Sequence, residues 1–532
     1  MSLNPKHLPF LIGVVLALGI YIGDKVSVNS SNTFTRTNTS KQKLNRLIDY
    51  LEYEYVDPVD TDSIVEGVID QVLQNLDPHS TYIPKQDLAS VTENMKGDFI
   101  GIGVSFYRYK DTIAVIRPIE GGPSFRAGIM AGDRILMADN DTIHGVFWSQ
   151  DKVVQKLRGK KNSKVRLQIK RAGVDSLLDF EITRAEVPIK SVASFYMMSS
   201  TLGYIKINRF AVSTYLEFDD AVEDLIASGA TNLVLDLRDN PGGFLQIAEK
   251  IADEFLEDGK LILFTKNKTN QVNESYATGV GRFEQAPVYV LINENSASAS
   301  EIIAGALQDN DKGTIIGRRS FGKGLVQREM DLGDGSAIRL TTSRYYTPTG
   351  RSIQRSYANG SEAYYNSYYQ RLDTSGEDTL HSDTTADSLK FTTPKGKVVY
   401  GGGGIIPDVY VPKDLDFNNE LVSFLRVAGL MDFFVFEHLD KQRTHYASFS
   451  QSQFLRTFQI SDFVYQQFVT YFIEASKLDA KALNVYKSPI KMLLKSAFSK
   501  QLFGDNSAAK VVSPIDPMLI KVMDIEAALI PN

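Results

Sequence analysis

Residues 294–301 read Glu-Asn-Ser-Ala-Ser-Ala-Ser-Glu (ENSASASE), and the segments on either side decide the fold. Upstream, VYVLI at 288–292 is an unbroken apolar run of the length of a buried strand. Downstream, Ile302, Ile303, Ala306 and Leu307 recur at helical spacing. A strand that enters a helix through a turn of small residues is the repeating unit of a layered α/β fold. It also sets side chains beside unpaired backbone N–H groups, which favour developing negative charge. Ser296, Ser298 and Ser300 are therefore candidate nucleophiles, although Ser-Ala alternation is equally common as loop punctuation.

The neighbouring segments extend the pattern. LGYIKINRF (202–210) reads as a strand, STYLEFDDAVEDLIASG (213–229) as a helix, NLVLDLR (232–238) as a buried strand and FLQIAEKIADEFL (244–256) as a helix. GLVQREMDL and SAIRLTTSRYY flank a Gly-Asp-Gly turn at 333–335 and read as a hairpin. Residues 97–171 form a smaller, mostly β module with one helix near WSQDKVVQKLRG (148–159), followed by a polar stretch, AGVDSLLDFEITRAEVP (172–188). Residues 41–76 read as helical and stop at Leu76-Asp77-Pro78-His79-Ser80. Residues 355–395 are polar and tyrosine-rich, like a surface insertion, and the chain after Asp414 is helical and aromatic. The glycine run 401–404 reads as a return loop, since no strand leads into it.

A chain of 532 residues exceeds one compact core. Its 58 basic and 64 acidic residues carry no basic stripe, which excludes nucleic acid as the expected partner. The absence of cysteine removes thiol catalysis, disulfides and zinc-thiolate sites, and no HExxH is present, so no metal or cofactor is expected. The uncharged run LPFLIGVVLALGIYIG (8–23) is short for a span and fits a signal-peptide core or N-terminal anchor, which implies export.

A nucleophilic serine needs a base. The six histidines are His7, His79, His144, His381, His438 and His445, and none falls between 145 and 380, so a Ser-His-Asp triad must borrow from outside the α/β core. A lysine kept neutral by burial is the alternative, and Lys323, in Arg-Ser-Phe-Gly-Lys-Gly (319–324), sits between two glycines in a core turn. LDLRDNPGG (235–243) ends a strand in two glycines whose N–H groups suit an oxyanion hole or a simple turn.

Together these stretches resemble the C-terminal processing, or tail-specific, proteases. The match runs from about residue 42 to 412 and includes LDPHSTYI (76–83), GGPSFRAGIMAGDRIL (121–136), LDLRDNPGG, NSASASEIIAGALQDN, FGKGLVQ, YYTPTGRSIQ (345–354) and GIIPDV (404–409). The resemblance implies a multidomain α/β and β protein: a ClpP/crotonase-like α/β protease core with an inserted PDZ domain, an N-terminal helical segment and a C-terminal helical domain. The expected divisions are a signal peptide or anchor (1–27), tether and helices (28–90), PDZ domain (91–175), core (176–414) and helical domain (415–532). The family's serine precedes its lysine by 25 residues and its glutamine follows the lysine by four, which selects Ser298, Lys323 and Gln327. By the same resemblance Ala299 and Gly242 or Gly243 hold the oxyanion. Phe99, Ile100, Gly101, Ile102, Gly103 and Val104 form the loop that captures a substrate's C-terminal carboxylate. Arg158 is a candidate contact from the PDZ domain to the core, and Asp309 is expected to anchor its helix, about 16 Å along the axis from Ser298. The implied activity is cleavage of exported proteins with exposed C-termini in the periplasm, from an inner-membrane tether. A homo-oligomer is left open, and the alternative is a peptide-binding scaffold without chemistry.

Overall fold

The computed structural model describes residues 13–19, 39–145, 148–373, 389–414, 420–446, 448–477 and 481–529. Two units are described separately, residues 1–72 and 73–532. The first holds the helix Thr39–Tyr53 and most of the helix Thr61–Gln74. Most of the apolar run 8–23 lies outside the described residues, and among those residues no helix is long and apolar enough to cross a membrane.

The second unit is built on a six-stranded sheet in chain order: Val192–Met197, Leu202–Ile207, Asn232–Asp236, Val288–Ile292, Gly313–Gly317 and Val409–Tyr410. The first pair is antiparallel and the later ones parallel. Val288–Ile292 is buried at every position because both faces of the sheet are covered. Val288, Val290 and Ile292 pack under the helices Thr214–Ala227, Leu245–Asp253 and Ala299–Asp309, while Tyr289 and Leu291 meet Met518, Leu519 and Val522 of the last helix. Three adjacent parallel strands end at Asp236, Ile292 and Gly317, and the loops leaving those ends carry Gly242, Ser298 and Lys323. Ligand sites of open α/β sheets form at such carboxyl ends.

A second sheet forms the opposite wall. The hairpin Leu325–Asp331 and Ala337–Tyr346 is joined by Thr81–Ile83 and Leu261–Asn267, which both pair with Ala337–Tyr346. At the far end of the helix Ala299–Asp309, Asp309 meets Arg351 at 2.7 Å, both side chains fully buried. Asp309→Ala strands that guanidinium and is expected to lower unfolding stability by about 3 kcal/mol, read by denaturant titration.

Two segments differ from their sequence reading. The polar stretch 172–188 holds two strands, Leu178–Thr183 paired with Lys164–Lys170, and Ala185–Pro188 paired with Asp98–Gly101. Leu178–Thr183 is mostly solvated, with only Ile182 fully buried, so the residues read as a linker. The segment 355–395 is not wholly a surface insertion: its helix Gly360–Asp373 buries Tyr364 to 2 % exposure against the core. Residues 374–388 of it lie outside the described residues. The helices from Glu420 to Leu529 also hold the β module, where Phe433 stacks on Tyr107 at 4.7 Å and Asp440 pairs with Arg134 at 2.5 Å.

Candidate active site

The three serines of the opening motif take different roles. Ser296 is buried and its hydroxyl donates to the Leu237 carbonyl at 2.8 Å. Ser300 is buried and donates to the Asn240 carbonyl at 3.0 Å. Both staple the turn to the LDLRDNPGG strand end, and Ala297 N–H adds a third bond, to the Asn240 carbonyl, at 3.0 Å. Ser298 alone of the three lines a cleft of about 1340 Å³. Its φ of 55° is a left-handed value that a non-glycine residue adopts only under constraint, and it begins the helix Ala299–Asp309. The Ala299 N–H, in that helix's first turn, is one of the donors an α-helix leaves unpaired.

Lys323 lines the same cleft, with Gln327, Gly242 and Gly243. Burial holds its amine below the ordinary lysine value, with Arg339 pushing the same way and Glu301 and Asp77 opposing. Glu301 was not singled out by the sequence reading, yet it joins the two loops. One carboxylate oxygen accepts from Ser298 N–H at 2.8 Å and Lys323 N–H at 2.9 Å. The other accepts from Ser320 Oγ at 2.5 Å and Gly322 N–H at 2.7 Å. It is fully buried, and desolvation raises its pKa despite these four bonds. A signal was present, since a glutamate three residues after a helix-starting serine is a capping-box pattern.

The glycines are held close. A Cβ on Gly242 would lie 2.8 Å from the Ser298 Cβ, and one on Gly243 would lie 2.1 Å from the Phe210 carbonyl oxygen. Gly242 N–H is already donated to Asn240 Oδ1 at 2.9 Å. The Gln327 amide reaches Thr341 Oγ1 at 3.5 Å, and Thr341 N–H donates to Ser80 Oγ at 3.1 Å. Ser80 in turn donates to Asp77 at 2.7 Å, so LDPHS is wired to the wall that carries Gln327.

A serine in a strand-to-helix turn at positive φ, a desolvated lysine and close-packed glycines thus line one cleft. The profile of Peptidase family S41 matches residues 201–360, a PDZ-domain profile matches 101–182, and a family of unknown function matches 421–504. A carboxy-terminal-processing protease of Bartonella bacilliformis is 36% identical over 355 residues, covering 66% of this chain and 80% of the relative. The chain belongs to the carboxy-terminal processing protease family. The Bacillus subtilis carboxy-terminal processing protease CtpA is 33% identical over 64% of this chain and 72% of its own. Among solved structures, a photosystem II D1 C-terminal processing protease is 30% identical over 57% of this chain and 82% of its own, with a TM-score of 0.34.

In this carboxy-terminal processing protease, a serine-type peptidase of the S41 fold, the stretch Phe99–Val104 is not all loop: Phe99–Gly101 and Val104 belong to two strands, and only Ile102 and Gly103 join them. Asp98–Gly101 pairs with Ala185–Pro188, and Val104–Tyr109 is an edge strand of the module's sheet among the described residues. Ile102 is buried and its carbonyl accepts from Ser124 N–H at 2.8 Å, while Gly103 takes the positive φ of 72°. Val104 and Phe106 of that strand share a core with Val153 and Leu157 of the helix Gln150–Leu157. Arg158 lies 4.8 Å over the Phe99 ring and pairs with Glu93 at 2.6 Å. Glu93 belongs to the helix Lys85–Lys96, whose Thr92, Met95 and Lys96 line the cleft.

Proposed function

We propose that this protease is an endopeptidase of exported proteins, with Ser298 as nucleophile and Lys323 as general base. Ser298 Oγ attacks the scissile carbonyl, the neutral Lys323 amine takes the hydroxyl proton, and the resulting ammonium returns it to the leaving amine. The observation that carries this reading is the division of labour in the motif: Ser296 and Ser300 are spent on backbone carbonyls, while Ser298 faces the cleft lined by Lys323. Gln327 orients the lysine from the hairpin wall. Gly243 and Ala299 offer N–H groups to the oxyanion, a choice supported by the prior use of Gly242 N–H. The uncharged run 8–23 supports export to the periplasm, with residues 1–27 as signal or tether.

Cleavage of an unstructured protein by wild type, Ser298→Ala and Lys323→Ala tests the dyad. Loss in both is expected, and undiminished cleavage by either overturns it. A separate prediction concerns the PDZ loop Phe99–Val104, which captures the substrate's carboxylate: amidating the substrate's C-terminus is expected to raise KM about tenfold, for loss of a charge-assisted bond. An equal KM for acid and amide rules that role out.

A further inference from the structure

The helix Gly360–Asp373 lies in the polar, tyrosine-rich segment 355–395, yet it touches both loops that carry the proposed dyad. Tyr365 OH donates to the Pro78 carbonyl at 2.9 Å, and Tyr364 OH shares a hydrogen bond with His79 Nε2 at 3.0 Å. Tyr368 OH bonds Asn295 Oδ1, three residues before Ser298. Arg371 donates to the carbonyls of Ser320 at 3.1 Å and Phe321 at 3.0 Å, just before Lys323. The contacts continue below the surface. Arg355 sits between rings, its guanidinium 4.0 Å from the Tyr364 centroid and 4.6 Å from that of Phe321, and it donates to the Tyr364 carbonyl at 3.2 Å. His79 is dry enough that burial, with the Lys323 charge nearby, brings its pKa down to about 3, so it packs as a neutral ring.

We propose that the helix Gly360–Asp373 is a positioning element for the lysine loop, with Arg371 and Tyr368 fixing Lys323 and Ser298 relative to one another. The physical argument concerns the loop's acceptors. The N–H groups of Gly322 and Lys323 are held by Glu301, from the nucleophile's own helix, and that of Phe321 by the Ser296 carbonyl. The carbonyls of Ser320 and Phe321 point the other way, and Arg371 takes both with one planar fork, which fixes direction as well as distance. Without that fork the carbonyls of Ser320 and Phe321 lose these donors, while that of Gly322 keeps the Arg355 N–H at 3.0 Å, so the freedom gained is at the start of the loop. These residues act at Asn295, Ser320 and Phe321, so their effect runs through the loops that carry Ser298 and Lys323.

The inference rests on the Ser298–Lys323 reading, and the test separates the two. In the full-length chain, kcat, KM, the pH dependence of kcat/KM and Tm are measured for wild type, Arg371→Ala, Arg371→Lys, Tyr368→Phe and Lys323→Ala. Arg371→Ala is expected to lower kcat about tenfold, the worth of a charged hydrogen bond, with KM within about twofold. Its acidic limb is expected to move to higher pH, because a wetter lysine holds its proton more tightly. The charged and titratable groups facing Lys323 are Glu301 from the helix Ala299–Asp309, Arg339 from the hairpin, and Asp77 and His79 from the N-terminal segment. Each of them stays in place in the Arg371 variants, so a moved limb reports the lysine. Arg371→Lys is expected to recover part of kcat, since an ammonium still reaches one carbonyl. A lowered Tm with unchanged kcat and limb overturns the proposal, because that is what a merely structural helix produces. If Arg371→Ala does not fold, Tyr368→Phe, which loses one hydroxyl, decides: a smaller fall in kcat with the same limb shift supports the proposal, and no change refutes it. Persistent cleavage by Lys323→Ala removes the dyad itself, whatever the helix variants do.

Discussion

Replacing Lys323 by arginine is expected to remove peptide-bond hydrolysis at every pH between about 6 and 10, a fall of about ten-thousandfold or more in kcat/KM. Arginine keeps the positive charge and much of the length but does not give up its proton in this range. The variant therefore separates a base from an electrostatic anchor: a charge that merely orients substrate survives the change, and a base does not. The measurement is hydrolysis of an unstructured substrate across that range, and an arginine variant within about tenfold of wild type sinks the general-base role.

The same burial that lowers the Lys323 pKa carries a stability cost. Between the lowered pKa of Lys323 and its ordinary value of 10.5, the unfolded chain binds a proton that the native chain does not, so stability rises with pH across that window. Below the window the native state bears the full cost of a buried ammonium. Lys323→Met, inactive by design, is thus expected to be more stable than wild type at neutral pH, by a margin that narrows as pH rises toward 10.5. Thermal unfolding of both proteins at several pH values reads this directly.

What could be read before the structure followed from local signals. VYVLI is continuous and apolar because its strand is covered on both faces, and the helix after Ser298 is apolar on successive turns because it is buried throughout. What escaped depends on partners far along the chain. Leu178–Thr183 presents three polar or charged side chains in six and looks like a linker, although its pairing with Lys164–Lys170 defines the module's edge. Tyr364 belongs to a segment so polar that its burial is invisible until Arg355, Phe321 and His79 are seen around it. The same limit applies to the serines. Spacing within a family pattern selects Ser298, but only the Leu237 and Asn240 carbonyls explain why Ser296 and Ser300 are not equivalent to it.

Glu301 carries the second large prediction. Glu301→Ala leaves the N–H groups of Ser298, Gly322 and Lys323 and the hydroxyl of Ser320 without their acceptor in a buried site. At about 1–3 kcal/mol for each unsatisfied buried donor, the folded state loses about 4 kcal/mol even if one or two donors find water. The activity loss is expected to exceed that of a residue that only packs, about a thousandfold in kcat, because one carboxylate oxygen binds the N–H groups of both Ser298, the proposed nucleophile, and Lys323, the proposed base, and so sets the separation of the two loops. Glu301→Gln sharpens the test. Its amide oxygen can keep Ser298 and Lys323 while its NH₂ donates to Ser320 Oγ, so two of the four donors keep their acceptor and Gly322 N–H and the Ser320 O–H lose theirs. A glutamine variant that keeps most of kcat while the alanine variant loses it assigns Glu301 to positioning through hydrogen bonds. Equal losses in both assign its effect to the negative charge, which acts on the Lys323 amine through the interior of the protein.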